Sequence, residues 1–131
     1  SYVGYPAYSA YAARTRIEAN VSAAIGQEFF CIFKSSEAPI FPGDSLFNWG
    51  GHKNPNKVNS YQALDGSAKG TGQHMTVFAR QEGSLGYFHG GNESQKVGNR
   101  KFSLQAGNYL ETKYRGKFIA VYKKVKVVGV G

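Results

Sequence analysis

The sequence predicts an all-β fold: an antiparallel β-sandwich or jelly roll of about seven to eight short strands, with an extended N-terminal arm. Three observations predict it. Turn-forming residues recur every eight to twelve positions along the chain. Gly is abundant at 17 residues, and 15% of residues are aromatic, mostly Tyr and Phe, a mix that suits strands joined by tight turns. Residues 14–25 alternate apolar and polar positions without a break. At 131 residues the chain reads as one domain, long enough to bury a core.

Residues 1–13 read as the arm, and residues 14–131 as the sandwich with a basic C-terminal part. Tyr2, Tyr5, Tyr8 and Tyr11 recur every third residue around Pro6. A polyproline II segment has three residues per turn, so it would align the four rings on one side for docking on a neighbouring subunit. In RTRIEANVSAAI, Thr15, Ile17, Ala19, Val21, Ala23 and Ile25 point one way, as in a half-buried strand. Gly26-Gln27 then reads as a turn into Glu28–Lys34, EFFCIFK, the densest apolar run and the expected central strand. Cys31 within it is the only cysteine, which excludes an intrachain disulfide and suits a buried small hydrophobe.

Residues 35–57 are rich in Pro, Gly and Asn and carry Trp49, which fits either a binding contact or a plug over the core. Val58–Leu64 reads as a strand. The following GSAKGTG lacks the Walker pattern and is no phosphate loop. Gln73–Gln81 and Ser84–His89 read as a hairpin around Glu82-Gly83, with Phe78 facing Tyr87 and Thr76 facing His89. Met75, Val77, Ala79 and Phe88 are then its core face. Strands follow at Arg100–Gln105, Asn108–Lys113 and Lys117–Val128, the last two joined around Arg115-Gly116.

Charge is unevenly placed. Residues 1–95 balance seven Lys/Arg against seven acids. Residues 96–131 hold Lys96, Arg100, Lys101, Lys113, Arg115, Lys117, Lys123, Lys124 and Lys126 against Glu111 alone, which accounts for the whole net charge of +8. A neutral body with one basic end predicts a surface for polyanions, either nucleic acid backbone or acidic glycan. Lysines guarding an edge strand explain part of the same pattern.

The outer face of the 74–89 hairpin is the candidate site. On it His74 and His89 are expected as diagonal neighbours, with Arg80 and the Phe78–Tyr87 pair beside them. If the chain were an enzyme, His74 and His89 would serve as base and acid for RNA cleavage and Arg80 would stabilise the transition state. Without chemistry, Trp49, Phe78 and Tyr87 would form a stacking platform for bases or sugars. No nucleophile elbow, paired carboxylates or metal-type spacing of His52, His74 and His89 is present, so neither metal nor cofactor is expected. Asn20-Val21-Ser22 and Asn92-Glu93-Ser94 are sequons that matter only in a secreted chain. No signal peptide or membrane-spanning run is legible.

The leading functional expectation is a non-enzymatic structural protein that assembles with copies of itself, as in a virion coat, shell or filament, and turns a basic surface to a polyanion. The alternatives are a lectin-like carbohydrate-binding module and a basic ribonuclease or toxin domain.

Overall fold

The computed structural model describes residues 5–48, 60–65, 74–93 and 96–129. Trp49, His52, Tyr2 and the GSAKGTG stretch lie outside them, as do the side chains of Tyr5, His74 and Lys96. The chain is mostly β. Seven antiparallel strands form one curled sheet resembling half a barrel, in the order β1-β7-β2-β3-β4-β5-β6. They are β1 (Glu28–Lys34), β2 (Ser45–Asn48), β3 (His74–Glu82), β4 (Leu85–Glu93), β5 (Lys96–Gln105), β6 (Tyr109–Leu110) and β7 (Phe118–Lys126). The described strands therefore do not divide into the two stacked sheets of a sandwich or jelly roll. Register shifts at Ala79, after Phe47 and after Gly90 bend the strands, and such bulges raise twist and let a single sheet curl on itself.

The N-terminal segment corrects the expectation of an extended arm. Tyr5–Ala19 is an α-helix, α1, and Val21–Ala24 a helical turn, α2, so the alternating stretch 14–25 is not a strand. Ala10, Ala13 and Ile17 are spaced i, i+3, i+7 and line one helical face; Ala10 and Ala13 are buried. Alanine costs no side-chain entropy in a helix and lets it approach the sheet closely. Asn20 ends α1 and caps α2, its side-chain oxygen accepting the Ala23 N–H at 3.4 Å.

Two apolar clusters hold the fold. The inner, concave cluster contains Leu46, Phe78, Phe88, Leu104, Leu110, Phe118 and Val121, closed by Ile40. Its aromatic rings run in a chain: Phe78–Phe88 centroids lie 4.5 Å apart, Phe88–Phe102 5.2 Å and Phe102–Phe118 5.0 Å. Gly86 is required here, since a Cβ on it would stand 2.8 Å from the Phe88 ring. The outer cluster packs Ile32, Phe47, Ala120 and Ile119 against Ala10 of α1 and Leu64, with Tyr8, Tyr11 and Tyr61 at its margin. Residues Gln62–Asp65 form a 3-10 turn where the sequence suggested the end of a strand.

β1 covers Glu28–Lys34 as expected, but it is an end strand of the sheet rather than a central one, with Phe30 exposed and Cys31 buried. Burial raises the Cys31 thiol pKa, so it stays protonated and packs as a hydrophobe. The β3–β4 hairpin is also as expected, but its turn is Gly83-Ser84 rather than Glu82-Gly83. Gly83 has φ 59°, the left-handed conformation that a type II′ turn demands at its first central position. With the bulge at Ala79, this one-residue shift puts Phe78 opposite Phe88, Val77 opposite His89 and Arg80 opposite Tyr87. Thr76 and Phe78 are therefore core, while Val77 and Ala79 reach solvent.

Candidate functional site

The outer face of the sheet has two unlike halves. Across β1, β7 and β2 it is covered by α1 and the 3-10 turn. Across β3, β4 and β5 the described residues leave it open, with Val77, Arg80, His89, Asn99 and Lys101 exposed and Tyr87 half-buried. Arg80 lies flat on Tyr87, its guanidinium carbon 3.7 Å from the ring centroid, and the Lys101 ammonium stands 5.9 Å from the same ring. Tyr87 donates its hydroxyl to Glu82 at 3.0 Å, and Arg80 pairs with Glu82 as well. These two hydrogen bonds, Tyr87 first, hold the Glu82 carboxyl below the usual carboxylate range, helped by the charges of Arg80 and Lys101.

The register around the proposed catalytic pair differs from the one expected: Val77, not Thr76, stands opposite His89, and the His74 side chain lies outside the described residues. His89 hydrogen-bonds the Asn99 side chain. His74 pairs in register with Asn48 on β2, three positions before Val77, the residue opposite His89. Of the aromatic platform, Tyr87 is on the open face and Phe78, 1% exposed, is in the core. Among the described residues no group of three or more His, Cys, Asp or Glu could hold a metal ion. No helix among them is long and apolar enough to cross a membrane.

The C-terminal cations whose side chains are described have separate surroundings. Lys123 is structural: it pairs with Asp44, donates to the Pro39 carbonyl at 3.0 Å and lies 5.3 Å from the Phe41 ring. Lys124 pairs with Glu28 at 3.0 Å and stays exposed. Lys113 stands 3.9 Å from Glu111, and Arg115 donates to the Leu110 carbonyl at 2.9 Å. Arg100 is half-buried, sharing its side of β5 with Phe102 and Leu104. Lys96 pairs in register with Glu93. Lys101, Lys117 and Lys126 reach solvent. The last two flank β7 and are separated by about 27–30 Å at strand rise, and three strands stand between β7 and β5. Of the four tyrosines, Tyr8 and Tyr11 pack on their own domain, with Tyr11 and Tyr61 rings 5.5 Å apart.

One cluster had no signal in the sequence. Arg14 of α1 donates to the Ile32 carbonyl at 3.1 Å, to the Tyr61 hydroxyl at 3.0 Å and to both carboxylate oxygens of Glu37, with its guanidinium 4.5 Å from the Phe33 ring centroid. Glu37 also accepts the Lys34 N–H at 2.7 Å, and Tyr61 donates to the Ile32 carbonyl at 2.9 Å. Arg14 holds the Glu37 carboxyl below its ordinary pKa, and burial raises that of the Tyr61 phenol. Together they line a cleft of about 180 Å³ with Tyr11 and Lys34. These mutual bonds tie α1, β1 and the 3-10 turn together, which is a structural task. Its partners Ile32, Glu37 and Tyr61 lie 18, 23 and 47 residues from Arg14, so no local spacing reveals it.

Comparison with protein-family models, with curated proteins and with solved structures finds no match in any of the three.

Proposed function

We propose that the chain is a non-enzymatic, self-assembling structural subunit of the coat, shell or filament kind, with a basic surface turned to a polyanion such as nucleic acid backbone or acidic glycan. The observation that carries this reading is the outer face of β3–β5, left open among the described residues, where Arg80 and Lys101 flank Tyr87. Binding is favoured over catalysis because the groups described on this face, Arg80, Tyr87 and Lys101, are cationic and aromatic. Contact with further copies is favoured by exposed Val21, Ile25 and Phe30 around α2 and β1 and by Val128, 73% exposed, just beyond β7. The Ile25 side chain reaches Gly129, so the two chain segments meet there.

Light scattering after size exclusion, at low and high salt, with and without a generic RNA, tests the reading. Large particles, or RNA retained at low salt and released at high salt, support it. Replacing Arg80 and Lys101 together by Ser should then flatten the dependence of log affinity on log salt by about one to two. A salt-insensitive monomer that ignores RNA sinks it and moves the carbohydrate-binding reading to the front.

A further inference from the structure

The two ends of a sheet differ in what they offer. Alternate residues of an end strand turn their N–H and C=O groups away from the sheet. On β5 the parity is set by the Leu104 N–H, which donates to the Ser84 carbonyl at 2.7 Å in the same register as the β4–β5 ladder. Even-numbered residues of β5 therefore bond β4, and Asn99, Lys101 and Ser103 present their backbone groups outward. Among the described residues β6 pairs on that side only with Leu104 and Gln105, and Glu111 and Tyr114, which follow it, reach Ser103 and the Phe102 ring. Asn99 and Lys101 are both exposed.

We infer that the free edge of β5 at Asn99–Lys101 docks an extended acidic peptide segment of a partner protein, which adds as a further strand. Charge selects this occupant. The β5 sequence KVGNRKFSLQ holds three cations and no acid, and of these Lys101 is exposed beside Asn99 on the open face. Two copies pairing through β5 would oppose cation to cation, which repels. A nucleic acid phosphate only accepts hydrogen bonds, so it would leave the outward carbonyls of Asn99 and Lys101 without donors. A peptide strand satisfies both kinds of group, and acidic side chains at alternate positions would meet Lys101. The inference stands on the β5 edge alone, independently of self-assembly.

The test uses the whole protein and a seven-residue peptide of alternating Thr and Glu, followed by amide NMR. Saturable binding should slow hydrogen exchange at Asn99 and Lys101 at least tenfold. Lys101→Glu should weaken binding at least tenfold while the melting temperature stays unchanged. A peptide N-methylated at alternate residues, which keeps its charge but loses its donors, should not protect those amides. Absence of protection overturns the inference, as does equal protection by the N-methylated peptide or by an oligothymidylate of matched charge. RNA retention by the same protein is read separately, so either result can fail alone.

Discussion

Adjacent residues on β4 show the contrast between the two faces of one strand. Phe88 is fully buried among Phe78, Phe102 and the inner cluster, while Tyr87 stands on the outer face with cations around it. Similar rings one residue apart do opposite jobs because the strand period is two. The outer face repeats the contrast on a larger scale: α1 covers one half, and among the described residues nothing covers the other. The covered half is apolar on both partners. The open half carries Arg80, Lys101 and His89, whose desolvation no apolar helix would offset.

Substitutions should sharpen this comparison. Phe88→Ala should cost about 3–5 kcal/mol in urea unfolding, whereas Tyr87→Ala, half-buried and losing only the Arg80 contact and the Glu82 hydrogen bond, should cost about 1 kcal/mol. Comparable losses at both would mean that the outer face is packed. Arg14→Ala should cost about 2 kcal/mol by stripping Ile32, Tyr61 and Glu37 of a shared donor, and Arg14→Lys should recover little, since one ammonium cannot reach all three.

The same variant has a pH signature. Glu37 has a depressed folded pKa, so its contribution is full above its ordinary value of about 4.3 and lost as pH falls through the lower folded value. Acid melts of the parent should steepen below about pH 4.3, and Arg14→Ala should lose that part of the slope. Gly86→Ala should cost about 1–2 kcal/mol by pushing on the Phe88 ring. The smallest effect has the opposite sign. Thr76 is buried with no hydrogen-bond partner for its hydroxyl, so Thr76→Val should stabilise by up to about 1 kcal/mol; a loss on thermal melting would show that the hydroxyl has a role.

What was legible in the sequence follows from the range of the signal. β1 is read to the residue because EFFCIFK is a dense apolar run between polar ends. The β3–β4 hairpin is read as an element, but its register slips by one, because Glu82-Gly83 and Gly83-Ser84 both place Gly in a tight turn and only the sign of φ at Gly83 decides. The stretch 14–25 misleads, since its apolar positions satisfy a strand period while alanines at 10 and 13 with Ile17 satisfy a helical one. The tertiary surface offered to α1 settles that choice. The candidate face is half legible: the sequence puts Arg80, Tyr87 and His89 on it together with Phe78, which the structure buries in the core. The basic end was visible only as a sum. Lys123 disappears into Asp44 and Pro39, a partnership 79 and 84 residues long that no local count reveals.

The Arg14 cluster also decides how the sheet can grow. On β1 the Ser35 N–H donates to the Ile119 carbonyl, which fixes odd residues toward β7 and turns Ile32 and Lys34 outward. The Ile32 carbonyl and the Lys34 N–H are already taken by Arg14, Tyr61 and Glu37. An incoming strand would find about three residues of free edge at β1, short of the usual five or six. Strand addition on this chain is therefore one-sided and self-terminating, like a connector with a plug at one end. A filament or shell made of it must be joined face to face, and a continuous cross-β ribbon is closed to it.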